Sequence, residues 1–289
     1  MARIVESLSE ISAEYDALFC DLWGCLHDGV AVFPEAVAAL QAFRAEAGKV
    51  ILITNAPRPR GQIEAQLDRL GCPRDAWDDI VTSGDSAQTA LMKGVVGQKV
   101  YHIGPDRDLT FFDDLPPDLE RTVELVPLEE AEGVACTGLV DDATESPEDY
   151  RAPLLYAKTK GLKLLCANPD IVVDKGDTRL WCAGALAQLY TEMGGQSLYF
   201  GKPHPPIYDL ARRRLRALAD VAGDRILAIG DGPGTDVAGA LGEDIDCLFV
   251  TGGLVAEATG TDRQPDAARL KSFLDAQKIA PAFAIGHLR

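Results

Sequence analysis

The chain has 289 residues, 47% of them hydrophobic, and a formal net charge of −17. This length suits two domains better than one, and the acidity excludes nucleic acid and anionic membrane surfaces as expected partners, because its long-range field repels polyanions. A small phosphorylated molecule stays admissible, since a metal ion and one or two cations can reverse the potential inside a cleft.

Met1 to Glu14 carries Glu6, Glu10 and Glu14 and no basic-then-apolar signal design. No run of about eighteen apolar residues occurs, so a cytoplasmic location is expected. The first β-type run is Ala17 to Cys20. It ends in Asp21 and continues as Leu22-Trp23-Gly24-Cys25-Leu26-His27-Asp28-Gly29. An aspartate at the carboxyl end of an apolar strand, followed by a glycine turn, is where an α/β protein exposes a nucleophile. Pro34 to Glu46 follows as an amphipathic helix with Val37, Leu40, Ala42 and Phe43 on one side. A second strand, Val50 to Ile53, leads into Thr54-Asn55-Ala56, and a second helix spans Arg60 to Leu70. Arg58 and Arg60 could reach a phosphate or a sugar, but read first as solvated, or paired with acidic neighbours, at its start.

Further along, Lys99 to Ile103, Val134 to Val140 and Leu162 to Cys166 are strand-like, and Asn168-Pro169-Asp170 makes a loop. Asp141 and Asp142 either face a substrate or simply end their strand. Leu198 to Phe200 precedes Gly201-Lys202-Pro203-His204-Pro205-Pro206, and the helix Pro206 to Leu218 is expected to expose Arg212, Arg213 and Arg214. Ile226 to Ile229 runs into Gly230-Asp231-Gly232-Pro233-Gly234-Thr235-Asp236, Cys247 to Val250 is another strand, and Pro265 to Ala276 is a helix packing on the core. The seven cysteines are odd in number and lack a CxxC pair, so each is expected to be a small buried hydrophobe. His102, His204 and His287 lack zinc-ligand spacing.

Strands alternating with helices predict an α/β fold with a doubly wound parallel sheet. About 145 residues separate Thr54 from Leu198, whereas one βαβ crossover needs roughly 30. The excess predicts an inserted α/β domain at 85–196, leaving 1–84 and 197–289 as the core. Four segments then fall at strand ends that share one sheet edge: Asp21 with Trp23, Thr54-Asn55, Lys202, and Asp231 with Asp236. Taken singly, each has a structural reading as a turn, a helix cap or a solvated charge.

Their chemistry follows from residue type. A carboxylate such as Asp21 can attack phosphorus and become an aspartyl phosphate. Mg²⁺ would offset the charge repulsion through oxygen ligands: Asp21, Asp231, the backbone carbonyl of Trp23, and Asp236 directly or through water. Thr54, Asn55 and Lys202 can hold phosphoryl oxygens, with Lys202 stabilising developing charge. Asn168 is the candidate for substrate contact from the inserted domain.

In this order the four segments resemble motifs I to IV of the haloacid dehalogenase superfamily. The Gly201-Lys202-Pro203 signature, the Gly230-Asp231 to Asp236 spacing and the insertion between the second and third motifs resemble its class IIA, C2-capped branch of NagD-like and p-nitrophenylphosphatase-like proteins. Ala167 to Asp170 and Ala183 to Leu186 resemble that branch's cap. The resemblance covers most of the chain and is weakest in Val95 to Val134 and after Glu257. It implies a Rossmann-like core, an α/β cap and Mg²⁺-dependent hydrolysis of a small phosphorylated metabolite. It places Asp21, Thr54, Lys202, Asp231 and Asp236 at functional positions. A cap-mediated homodimer is an expectation of the resemblance alone.

Trp23 departs from the family pattern, which has a second aspartate there as general acid and base. Indole cannot titrate, and such help is worth roughly 10² to 10⁴-fold. Three readings follow: a phosphatase restricted to good leaving groups, a substitute acid in His27 or Asp28, or a silent phospholigand-binding protein. Dehalogenation, which uses an aromatic residue at this position, fits the large insert and the acidic pair less well. Trp23 also has a purely packing role open to it. The leading expectation is a phosphatase weak on alkyl phosphates.

Overall fold

The computed structural model describes residues 2–117, 119–175 and 178–289. They form two compact units, one of Met1–Thr54, Glu64–Val81 and Tyr208–Arg289, the other of Asn55–Ile63 and Thr82–Ile207. All seven cysteines are free and buried. Among the described residues no helix is long and apolar enough to cross a membrane.

The first unit is built on a seven-stranded sheet in the order Arg3–Ile4, Phe283–Ile285, Asp246–Val250, Ile226–Gly230, Ala17–Cys20, Lys49–Thr54, Asp79–Thr82. The pairings from Arg3–Ile4 across to Lys49–Thr54 are parallel. Ala17–Cys20 and Ile226–Gly230 are buried at every position, as a central parallel strand covered on both faces must be. That is why their sequences are continuously apolar. Pro34 opens the helix Pro34–Ala45, where its missing N–H costs nothing. Asp266 caps Ala267–Gln277 by accepting from the N–H groups of Ala268 and Arg269. Two of the basic residues on Pro205–Leu218 correct the expectation of an exposed face. Arg212 is paired with Glu243 and the Arg214 guanidinium donates to the Ile80 carbonyl, so Arg213 alone of the three is exposed. Their long stems let the heads reach acceptors beside the helix.

Asp78 ties the helix Pro34–Ala45 to the strand Lys49–Thr54. Its Oδ2 accepts from Val50 N at 2.8 Å and from Arg44 Nε at 3.0 Å, and its Oδ1 from Arg44 Nη2 at 2.7 Å. Burial pushes this carboxyl up, but the Arg44 guanidinium and the Val50 N–H outweigh it and hold it below the usual range. A depressed folded value means the stabilisation is complete above the ordinary aspartate pKa of about 3.9 and is lost as pH falls through the folded value. Asp78→Asn is therefore expected to lose about 1–3 kcal/mol at pH 7. In denaturant melts, the gap from wild type should narrow below pH 4. A gap that stays constant with pH would contradict the ion-pair origin.

The second unit carries a five-stranded parallel sheet, ordered Gln196–Tyr199, Lys163–Cys166, Gly133–Cys136, Lys99–Ile103, Glu124–Leu125. An antiparallel pair, Val172–Lys175 with Thr178–Trp181, stands apart from it. Strand alternation sends neighbouring residues to opposite faces. Val134 and Leu164 join one apolar cluster with Leu154 and Leu186, whereas Ala135 and Leu165 join another with Leu91 and Phe111. The expected strand Val134 to Val140 stops at Cys136. The Thr137 hydroxyl bonds His102 instead, and Val140 is exposed with its N–H donating to the Tyr150 hydroxyl. Asp142 is paired with Arg107, and Asp141 accepts from Ala143 N within its own turn.

Candidate active site

Chain order reverses at the centre of the seven-stranded sheet. From Ala17–Cys20 the chain steps outward through Lys49–Thr54 to Asp79–Thr82; from Ile226–Gly230 it steps the other way. The crevice at the carboxyl ends beside such a reversal is where open α/β sheets bind ligands. Asp21 and Asp231 directly follow the two strands that meet there, and Thr54 ends their neighbour. All three are buried. Asp21 N donates to Ile229 O at 2.8 Å, which carries the ladder one residue past Cys20 and fixes the carboxylate's root.

Carboxylate oxygens of Asp21 and Asp231 and the Sγ of Cys25 lie within 4.8 Å of one another. Backbone crowds the Asp231 carboxylate: a Cβ on Gly24 or on Gly253 would stand 2.1 Å from its Oδ2. Gly24 also has φ +73°, a left-handed conformation that suits glycine. Leu254 N donates to the same oxygen at 3.2 Å. Two converging carboxylates, one of them closely approached by the backbone at Gly24 and Gly253, fit a hard divalent cation such as Mg²⁺. Burial, followed by the charges of Asp231 and Asp21, pushes the Cys25 thiol well up. A neutral sulfur is a poor partner for Mg²⁺, so the oxygens are the ligands of choice. The sequence reading missed Cys25 as a member of this cluster; only its four-residue offset from Asp21 across Gly24 hinted at it.

Asp236 lies outside that cluster. It sits in a π-helical turn over Pro233–Val237, a feature frequent at functional sites. Its Oδ2 accepts from Gly232 N at 3.1 Å and from the Thr235 hydroxyl at 3.3 Å. These bonds close the loop that presents Asp231.

Trp23 packs edge-on against His27, with ring centroids 4.9 Å apart at 74°. A Cβ on Gly29, whose φ is +84°, would come within 2.2 Å of the indole. His27 is buried, and its Nδ1 accepts from Gly29 N at 3.0 Å, which leaves the neutral ring's proton on Nε2. Asp28 accepts from Ala31 N and Val30 N, both at 2.8 Å, and these bonds hold its carboxyl below the usual range. That is the reverse of what a general acid at neutral pH needs, so Asp28 is the turn-forming residue of the two candidates. Gly29→Ala is expected to cost at least about 1–2 kcal/mol from the left-handed backbone alone, plus the displacement of the indole. Thermal melts of Gly29→Ala, Trp23→Ala and the double variant check this: the steric part should vanish in the double. An unchanged melting temperature in Gly29→Ala contradicts the packing.

In the second unit Asn55 is the hub. Its Nδ2 donates to Asp170 Oδ1 at 2.8 Å and to Lys202 O at 3.1 Å, and its Oδ1 accepts from Lys202 N at 2.7 Å. Both ends of the amide predicted to hold phosphate are thus engaged with protein. Lys202 itself is buried, at 2% exposure. The Asn168 amide oxygen accepts from Asp170 N at 3.1 Å, shaping the loop. Arg58 faces the buried Asp108, whose carboxyl burial raises and Arg58 partly offsets. Arg60 N donates to Asp85 at 2.9 Å.

Known proteins share this arrangement of segments. A family model of haloacid dehalogenase-like hydrolases matches residues 18–115, and a HAD-hydrolase-like model matches 199–276. The crystal structure of a haloacid dehalogenase-like hydrolase from Brucella suis 1330 is 41% identical, covers 99% of this chain and 100% of its own, and superposes with a TM-score of 0.86. The p-nitrophenyl phosphatase from Archaeoglobus fulgidus is 18% identical over 94% of this chain and 96% of its own, with a TM-score of 0.72. A glycerol phosphate phosphatase from Mycobacterium tuberculosis, in complex with magnesium, is 24% identical over 84% and 70%, with a TM-score of 0.64. The latter two share the fold. No curated protein matches. Because the matched segments contain the strand ends that bear Asp21, Thr54, Lys202 and Asp231, and because 41% identity runs the length of both chains, the chain belongs to the haloacid dehalogenase-like hydrolase family.

Proposed function

We propose that this chain is a Mg²⁺-dependent phosphomonoesterase for small phosphorylated metabolites, working through an aspartyl phosphate on Asp21. The observation that carries the reading is the buried Asp21–Asp231 pair at the sheet's reversal point, held in its glycine cradle. Asp21, Asp231 and the carbonyl of Trp23 would hold Mg²⁺, with Asp236 setting the loop or contributing through water. When bound, the ion neutralises phosphoryl charge and opposes repulsion of the nucleophile. An Asp21 oxygen attacks phosphorus, the bond to the leaving oxygen breaks, and the leaving group departs with its electron pair. Water then attacks the phosphorus, frees inorganic phosphate and restores the carboxylate. The Thr54 hydroxyl and the Lys202 ammonium are assigned the phosphoryl oxygens, and the loop at Asn168 the rest of the substrate.

No titratable group stands at position 23, and Asp28 is committed to its turn. Both facts favour aryl and acyl phosphates, whose leaving groups depart without a proton. The solved p-nitrophenyl phosphatase and the magnesium-bound glycerol phosphate phosphatase have this fold. The first is named for an aryl phosphate and the second for an alkyl phosphate, so together they support the phosphatase class, and the preference for activated esters rests on Trp23 and Asp28 alone. Seven free buried thiols support a reducing, cytoplasmic setting.

The test is hydrolysis of p-nitrophenyl phosphate with and without Mg²⁺. Metal-dependent turnover is expected. Binding of a phosphate ester without turnover, even of this activated one, overturns the enzyme reading in favour of a silent phospholigand receptor.

A further inference from the structure

We propose that Asp170 is a positioning residue for Lys202, acting through the Asn55 amide. Asn55 lies 147 positions from Lys202 and 115 from Asp170, so nothing local brings these groups together. The amide grips Lys202 at two points, accepting from its N–H at 2.7 Å and donating to its C=O at 3.1 Å. Holding both peptide groups of one residue fixes its φ and ψ and therefore the direction in which its side chain leaves the backbone. The grip works in one orientation of the amide. Turned over, Asn55 would set its NH₂ against the Lys202 N–H and its oxygen against the Lys202 carbonyl, two repulsive contacts.

Asp170 selects the working orientation, because a carboxylate oxygen accepts and cannot donate. It takes the second Asn55 Nδ2 proton at 2.8 Å, in a charge-assisted bond stronger than a neutral one. The loop that carries Asp170 is itself tied down. Asp170 N donates to Asn168 Oδ1, and Asp170 O accepts from Gly184 N at 3.1 Å, at the start of the helix Ala183–Glu192. A Cβ on Gly184 would stand 2.2 Å from Pro169 O and 2.4 Å from Asp170 O. A Cβ on Gly201 would stand 2.4 Å from Asn55 Oδ1 and 2.7 Å from Pro169 Cδ. Loop, amide and lysine segment are one packed assembly with little room to shift.

The catalytic half of this inference rests on Lys202 acting on the phosphoryl group; the geometric half does not. Two readouts separate them. Hydrogen exchange reports the grip without turnover: in Asp170→Ala the Lys202 N–H and the Asn55 side-chain protons are expected to exchange at least about tenfold faster, while amides of the seven-stranded sheet keep their protection. Turnover of p-nitrophenyl phosphate reports the consequence. Asp170→Ala should lower kcat on the order of 10-fold to 10²-fold with KM changed far less, because misplacing a fixed charge acts on the transition state. Asp170→Asn, which still offers an acceptor oxygen, should fall only a few-fold. In a Lys202→Ala background Asp170→Ala should have no further effect.

Unchanged exchange in Asp170→Ala overturns the grip. Faster exchange with unchanged kcat, where Lys202→Ala loses turnover, overturns the positioning role. Equal losses in Asp170→Asn and Asp170→Ala would assign the charge itself to substrate binding and overturn it too. Wild-type turnover in Lys202→Ala would instead overturn the assigned role of Lys202 and leave the exchange result standing.

Discussion

Asp21→Asn is expected to reduce turnover of p-nitrophenyl phosphate by at least about 10³-fold, the scale on which enzymes lose activity when a covalent nucleophile is removed. The amide nitrogen is not a nucleophile, and its oxygen is far weaker than a carboxylate. The substitution also removes one of the two charges that converge with Cys25. Folding should survive, because the bond from Asp21 N to Ile229 O is made by the main chain and the strand Ala17–Cys20 keeps its pairing. Asp231→Asn should be nearly as damaging by another route. It should raise the Mg²⁺ concentration needed for half-maximal activity, since the remaining amide oxygen is a neutral ligand. Single-turnover phosphate release across a Mg²⁺ series, with melting temperature as the folding control, distinguishes the two. A folded Asp21→Asn protein that keeps more than a tenth of wild-type activity would falsify covalent catalysis at this residue.

Trp23→Asp is expected to change which substrates are hydrolysed. In wild type, rates should fall steeply as the leaving group becomes more basic, because nothing at position 23 protonates the departing oxygen. Restoring a carboxyl there should flatten that dependence and raise alkyl phosphate hydrolysis by about 10² to 10⁴-fold, the usual worth of general acid–base help. Aryl phosphates should gain little. The variant should also be less stable, by about 1–3 kcal/mol, since the indole is only partly buried and fully buried tryptophans cost more. Its loss uncovers the ring of His27 and the space over Gly29. The comparison is a series of phosphate esters of graded leaving-group pKa, read beside thermal melts. A folded variant with an unchanged slope would show that the missing proton is not what limits wild type.

Much of the architecture was legible in one dimension. Ala17–Cys20 and Ile226–Gly230 sit where their apolar runs place them, because a parallel strand covered on both faces needs an unbroken apolar sequence. Asp21, Thr54 and Asp231 were legible for the same reason: each is fixed relative to the end of such a strand, and parallel strands align their ends. The glycines were partly legible as turn formers. That Gly24 and Gly253 together leave room for the Asp231 carboxylate was not, because they lie far apart in the chain.

What only the tertiary structure decided are the partners of polar side chains. The amide of Asn55 could have faced a ligand; its engagement with Asp170 and Lys202 depends on segments more than a hundred positions away. Arg212 and Arg214 looked like a solvated face until Glu243 and the Ile80 carbonyl stood beside them. Cys25 looked like filler until a turn brought it to two carboxylates. Hydrophobic periodicity is written into the order of residues, since burial follows the geometry of a single strand or helix. A hydrogen bond is short-ranged and directional, so its partner is set by which distant backbone passes within about 3 Å, and that is a property of the folded chain.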